Sequence, residues 1–288
     1  MQKREFLKTL GLAAIGGAVG AVSTKSNDHA AAGVSAWEKI ISRGSLRAGY
    51  IVLPPEMSKD PNTGELSGIA YELTMALGKK LNLRIEWVEE LNFASMHEGL
   101  AIGRFDIICF TLYRRANLGR VMNFSRPLFY SGNGIFVRAN DRRLINDVQK
   151  LNNSDIKIGA IDGEVSSELA GEYFPLARTV TLPSGTDLAQ LLMHVTTRKT
   201  DAALMNRAAA RLFMTKNPGL LVDLAERNPI CVYSHGFGLP KDQYDLQQAI
   251  DLAFDELLEN GKIERVLQKF EPFSGAYLRA AMPYQPHV

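Results

Sequence analysis

Two stretches of this chain repeat each other in order, and nothing else in it constrains the fold as much. Residues 100–108 (LAIGRFDII) align with residues 195–203 (VTTRKTDAA). Each sets a basic residue shortly before an aspartate, Arg104 before Asp106 and Lys199 before Asp201, and continues into a small or apolar run. Upstream, residues 46–50 (LRAGY) match residues 156–160 (IKIGA). Matched units in matched order predict two similar α/β lobes. The run at 105–110 has strand length and apolar character. Thr111, Tyr113, Arg114 and Arg115 then bring hydroxyls and positive charge directly behind it. In open α/β sheets, groups beyond a strand's carboxyl end face the ligand crevice. Asp106 and Asp201 stand ahead of their strands, at the wrong end for the crevice, and read as structural residues.

The rest of the chain fits the same plan. Residues 37–44 read as a short helix stopped by Gly44, and 45–51 as a first strand broken by Pro54 and Pro55. A tight turn follows at 60–64. Ile69, Leu73, Ala76, Leu77 and Leu81 stand at helical spacing, which predicts a helix over 69–81. A strand is expected at 84–90 and a helix at 93–102. Gly132, Asn133 and Gly134 fall between two apolar runs, which predicts a crossing between lobes. Beyond it, strands are expected at 156–161, 178–182 and 201–205, with helices at 166–173, 187–197 and 208–216. Residues 231–240 read as a return crossing, and 244–270 as helix interrupted by Gly261. The proline-bearing tail from 271 is expected to be irregular. Alternating strands and helices predict a mainly parallel sheet in each lobe. The boundaries read as 44–131 with 236–288 for lobe 1 and 135–231 for lobe 2. Lobes joined by two strands close over a ligand by hinge motion.

The formal net charge of the 288 residues is +2. Lys3, Arg4, Lys8 and Lys25 against Glu5 and Asp28 account for it. The remainder is near neutral, which argues against a nucleic-acid partner. Cys109 and Cys231 form no paired motif and sit in apolar runs, so buried free thiols are expected. His97, His194 and His235 show no metal spacing, and neither metal nor cofactor is expected. His235, beside the return crossing, reads as structural. Residues 1–32 combine a basic start (KREFLK), an apolar core and an Ala-rich end, the layout of a secretory signal peptide. KREFLK is similar to the twin-arginine export motif, with Lys3 in place of the first arginine, so the export route stays open. No later stretch has the length of a membrane span. A soluble periplasmic protein is expected.

Taken in order, the segments GSLRAGY (44–50), GELSGIAYELTMALGKKLNL (64–83), LAIGRFDII (100–108), FSRPLFY (124–130), IKIGAIDG (156–163), TDAAL (200–204) and GFGLPKD (236–242) resemble the periplasmic solute-binding proteins of the polar amino-acid type, solute-binding protein family 3, the receptors of ABC importers. The resemblance implies a type II periplasmic binding protein fold, two α/β lobes joined by two hinge strands, and an ABC transporter permease as partner. It also implies that Phe93 stacks on the ligand, that Thr111 and Tyr113 offer it hydroxyls, and that Glu164 and Ser166 line it from the second lobe. The family arginine that clamps an α-carboxylate falls on Leu118, and the aspartate that takes the α-ammonium falls on Asn206. Leucine donates no hydrogen bond, and asparagine brings no charge. An ordinary amino acid is therefore expected to be held poorly, or in a shifted pose in which Arg114 or Arg115 meets an anion and Glu164 a cation. Phe93 as a hydrophobic staple and Thr111 as a helix cap stay open beside these roles.

Two functions follow as expectations. The first is a receptor that captures a small polar solute, amino-acid-like or a related organic ion, and delivers it to an importer without chemistry. The second is an exported enzyme on the same scaffold, similar to cyclohexadienyl dehydratases, with Glu164 as the only evident acid. A receptor sensor domain is disfavoured, because no spanning helix or signalling domain follows.

Overall fold

The computed structural model describes residues 34–145 and 147–280. The expected signal peptide at 1–32 lies outside the described residues.

The first helix, α1 (Ala36–Arg43), starts from a capping box. Ser35 Oγ accepts from the Glu38 N–H (3.1 Å), and Glu38 Oε2 accepts from the Ser35 N–H (2.8 Å). It ends at Gly44, whose φ of 67° is the left-handed conformation that glycine adopts without a steric penalty. Next come β1 (Ser45–Tyr50), the short hairpin β2 (Ser58–Lys59) and β3 (Leu66–Ser67), α2 (Ile69–Leu81), β4 (Arg84–Glu90), α3 (Met96–Ala101), β5 (Ile107–Tyr113), β6 (Asn123–Phe124) and the long β7 (Phe129–Arg138). The second series runs α4 (Arg142–Ile145), β8 (Lys157–Ile161), α5 (Val165–Tyr173), β9 (Arg178–Leu182), α6 (Leu188–Thr196), β10 (Ala202–Asn206), α7 (Arg207–Lys216) and β11 (Leu221–Asp223). The chain closes with β12 (Cys231–Leu239), α8 (Tyr244–Glu259), α9 (Lys262–Phe270) and β13 (Tyr277–Arg279).

The main sheet runs β4-β1-β5-β12-β7-β10-β8-β9. Its two ends have the same strand order about β1 and β8, and both triplets pair in parallel. β12 and β7 lie between them, antiparallel to each other, and each pairs antiparallel with the neighbouring triplet.

The repeat seen in the sequence recurs bond for bond. The Asp106 N–H donates to Arg47 O (2.9 Å) and its Oδ2 accepts from the Arg47 N–H (2.8 Å). The Asp201 N–H donates to Lys157 O (2.7 Å) and its Oδ2 accepts from the Lys157 N–H (3.0 Å). Each aspartate thus staples the start of its strand to the preceding repeat strand. Arginines hold both: Arg43 and Arg47 at Asp106, Arg138 and Arg143 at Asp201. Their structural reading stands.

One core packs α1, α2, α8 and α9 onto the first triplet through Leu46, Leu73, Leu77, Ile107, Phe254 and Leu257. Separate clusters fill the two faces of the second triplet, around Ile158, Leu169 and Leu204 on one and Leu191, Ala203 and Met205 on the other.

Three local expectations are corrected. β5 continues to Tyr113, because β12 pairs with it as far as His235↔Tyr113; Thr111 and Tyr113 sit on the strand rather than after it. α3 begins at Met96, because the Asn92 side chain takes the N–H groups of Ala94 and Ser95 in a turn. Among the described residues the tail is not wholly irregular: β13 pairs with β7 and buries Tyr277. Cys109 is a buried free thiol as expected, whereas Cys231, also free, is only half-buried.

Candidate functional site

A cavity of about 40 Å³ lies at the carboxyl ends of β5 and β10, against the crossing strand β12. Its first side is built by Leu53, Glu56, Phe93, Thr111, Tyr113, Arg115 and Leu118, and its second by Glu164, Val165, Leu188 and Asn206, with His235 behind.

A polar network closes the back. Asn206 Oδ1 caps α7 by accepting from the Ala209 N–H (3.1 Å). This turns its amide nitrogen to the cavity side, where it donates to Tyr113 Oη (2.9 Å) and Ser131 Oγ (2.8 Å). The Tyr113 hydroxyl in turn donates to Asn133 Oδ1 (3.3 Å). His235 Nδ1 lies 2.7 Å from Thr111 O, and a carbonyl only accepts, so the ring proton is on Nδ1. Nε2 then accepts from the Ser131 hydroxyl at 2.6 Å. Burial holds His235 down to about 4, neutral at any ordinary pH, and raises the Tyr113 phenol well above its usual range.

Glu164 is the N-cap of α5; its Oε2 accepts from the Ser166 N–H (2.7 Å). Burial raises its pKa, with that capping bond and the nearby Arg115 charge opposing. Arg115 Nη1 stands 2.6 Å from Glu168 Oε1. Phe93 meets Phe110 edge to face, with centroids 6.2 Å apart. The Thr111 hydroxyl is buried and has no hydrogen-bond partner within the protein.

Six of the eight expected residues therefore meet at one cavity: Phe93, Thr111, Tyr113, Arg115, Glu164 and Asn206. Leu118 and Asn206, the two departures, are both in its wall. Ser166 is not; it is fully buried, and its Oγ accepts from the Ile161 N–H (3.0 Å), tying α5 to the end of β8. Arg114 is not either. Successive residues of an extended segment face opposite ways, and with Tyr113 and Arg115 turned inward its stem packs at Gly236.

Two polar wall residues escaped the sequence reading of the site. His235 was assigned to structure alone. Glu56 stands in a Pro-Pro-Glu loop that looks like solvent-facing chain, yet it is 3 % exposed. The start of α2 pins this loop: the Ala70 N–H donates to Glu56 O (2.7 Å). Gly68, at φ 113°, permits the approach, since a Cβ there would lie 2.7 Å from the same oxygen. Burial pushes Glu56 up to about 7, and its Oε2 has no hydrogen-bond partner. The useful signal was position: the loop after β1 leaves a strand's carboxyl end, as the segment after β5 does.

This fold, with its cavity at the strand ends beside two crossing strands, is that of the type II periplasmic binding proteins. The chain belongs to the bacterial extracellular solute-binding proteins, family 3, whose pattern matches residues 46–273. It is 24% identical over 217 residues to the probable amino-acid-binding protein YxeM of Bacillus subtilis (strain 168), covering 72% of this chain and 76% of that one. Among solved structures, it is similar to the ancestral amino acid-binding protein AncCDT-1, a precursor of cyclohexadienyl dehydratase. There the TM-score is 0.73 at 23% identity, over 82% of this chain and 99% of the other. It is also similar to the amino acid ABC transporter substrate-binding protein AbpA of Streptococcus pneumoniae, bound to L-arginine. There the TM-score is 0.70 at 22% identity, over 82% and 98% of the two chains. Among the described residues, no helix is long and apolar enough to cross a membrane.

Proposed function

We propose that the chain is a periplasmic receptor that shuts on a small polar solute and delivers it to the permease of an ABC importer. The observation that carries this reading is the pairing of a cavity walled from both repeats with buried polar atoms left unpartnered at it, Thr111 Oγ1 and Glu56 Oε2. Buried polar atoms without partners are rare, and a solute supplies the missing ones. β7 and β12 serve as hinge strands between lobe 1 (44–131 and 236–288) and lobe 2 (135–231). Phe93, Thr111, Tyr113, Arg115, Glu164 and Asn206 form the contact set. Residues 1–32 act as the export signal.

Thermal-shift screening of the mature chain against amino acids, amines and small organic acids tests the reading. A saturable rise in melting temperature with one class supports it; no shift with any class counts against it. A second reading, a dehydratase on the same scaffold, is favoured by Glu56, since a carboxyl poised near neutrality suits general acid catalysis. The likeness to a dehydratase precursor points the same way. Product formation from a cyclohexadienyl acid decides between them.

A further inference from the structure

The two ends of the second triplet carry opposite charge. At the carboxyl ends, toward the cavity, stand Asp162, Glu164, Glu168 and Asp187. At the amino ends, away from the cavity, the exposed charge is basic. Lys157 and Arg178 are the first residues of β8 and β9 and lie side by side in register. Arg198 and Lys199 follow α6, and Arg198 shares a shallow surface cleft with Asn140 and Leu220. Arg142 opens α4 directly after Asp141, which Arg138 holds at this end of β7.

These five cations are exposed, and among the described residues no carboxylate pairs with any of them. The two buried acids here, Asp141 and Asp201, are taken by Arg138 and Arg143. Of the exposed acids nearby, Asp147 accepts from the Gln149 N–H (3.0 Å), and Asp155 stands on the loop before β8. Around the first triplet the pattern differs: Lys59, Lys80, Arg84 and Arg104 each face a glutamate. Arg198 and Lys199 complement the dipole at the carboxyl end of α6. Lys157 and Arg178 begin strands and have no such reason. Like charges held side by side repel unless opposite charge arrives from outside.

Two large apolar side chains are exposed among the cations. Leu176, two residues before Arg178, is 64 % exposed, and Leu220, beside Arg198, is 47 % exposed. Cations around exposed aliphatic groups match anionic headgroups with acyl chains beneath them. A polynucleotide would leave the leucines in water.

We propose that this basic pole docks on an anionic phospholipid surface, with Lys157, Arg178, Arg198, Lys199 and Arg142 at the headgroups and Leu176 and Leu220 dipping below them. Docked this way, the cavity at the other end of β10 faces away from the bilayer, which suits capture. Delivery to a permease then requires release from the lipid. The contact is independent of the solute.

Co-sedimentation of the mature chain with vesicles tests this, using phosphatidylcholine alone and an equal mixture of phosphatidylcholine and phosphatidylglycerol. Binding is expected to the mixed vesicles only, and to vanish in about 1 M salt, where the Debye length is about 3 Å. Each cation at an anionic surface changes the partition about fivefold. Lys157→Gln with Arg178→Gln should therefore weaken it by roughly 25-fold, and Arg198→Gln with Lys199→Gln by a similar factor. Both double variants should melt at or above the wild-type temperature, since none of these side chains is in an ion pair. A control pair on α1 and α2, Lys39→Gln with Lys79→Gln, should leave the partition unchanged. Equal binding to neutral vesicles, no binding to either kind, or an equal loss from the control pair overturns the inference. Retention on polyglutamate without vesicle binding also overturns it, in favour of an acidic protein partner. The thermal-shift screen with solutes decides the receptor reading separately.

Discussion

Asn206 donates a hydrogen bond to the Tyr113 hydroxyl across 2.9 Å, joining the carboxyl ends of two strands that the repeat makes equivalent, β10 and β5. The second amide hydrogen goes to Ser131, and Oδ1 caps α7, so the carboxamide is fixed from three sides. A carboxylate here would accept from Ser131 and take that hydrogen from His235. Asn206→Asp is therefore expected to lower stability by about 2–4 kcal/mol at pH 8, as a buried charge in a network built for a donor. Burial raises the new carboxyl's pKa, so the loss should shrink as the pH falls and the group protonates. Urea unfolding at two pH values measures both effects.

Glu56 and His235 pull stability in opposite directions along the pH axis. Glu56 rises from 4.5 to about 7, so its favourable contribution is complete below 4.5 and lost as the pH climbs through 7. His235 drops from 6.5 to about 4, so its contribution is complete above 6.5 and lost as the pH falls through 4. Each shift corresponds to about 3 kcal/mol, and between 4.5 and 6.5 the two slopes offset one another. Glu56→Gln removes one of them. The variant should be more stable than wild type by up to about 3 kcal/mol at pH 8 and equal to it near pH 4.5. Urea melts across that range measure the difference.

Much of this arrangement was legible in the residues. The Asp106 and Asp201 repeat announced the paired triplets, because a staple at a strand's start is local and each half carries its own. α2 and β4 were read to their observed ends, since period and flanking residues agree there. What failed depended on distant partners. Tyr113 stays in β5 because β12 reaches it, and β13 exists because β7 offers an edge far back in the chain. Glu56 was missed for the same reason: its loop reads in sequence only as a break at Pro54 and Pro55, and it is buried by distant partners, the start of α2, where the Ala70 N–H donates to Glu56 O, and Tyr277. Phe93 and Glu164 were reached through the family resemblance and Thr111 also through its nearness to the carboxyl end of β5, whereas the inward turn of Arg115 rather than Arg114 required the strand's phase.

The ion cluster at the far end of β10 is a separate stability element. Arg138 is 7 % exposed and joins Asp141 (2.7 Å) and Asp201 (3.0 Å), while donating to Val195 O and Thr200 O. Arg138→Met leaves those acceptors buried without their donor. A loss of about 3–5 kcal/mol is expected, with solute affinity unchanged, because the cluster lies at the opposite end of the strand from Asn206. Chemical denaturation and calorimetry read the two quantities independently.

Tyr277 offers a test of ring against hydroxyl. Its ring is 1 % exposed, and its buried hydroxyl faces the Glu56 carboxyl. Tyr277→Phe keeps the packing and removes that polar neighbour, so a loss of no more than about 1 kcal/mol is expected. Tyr277→Ala should lose about 3–5 kcal/mol through the cavity it leaves beside Phe129. Thermal melting of the pair separates ring from hydroxyl.

Native mass spectrometry of the chain, exported by its own host and kept folded throughout, tests the central claim most directly. The expected result is a species heavier than the polypeptide by one small molecule, released on unfolding and absent from a Glu56→Gln, Thr111→Val double variant that still folds. A bare polypeptide mass for the wild type, or an adduct equally retained by the double variant, would contradict it.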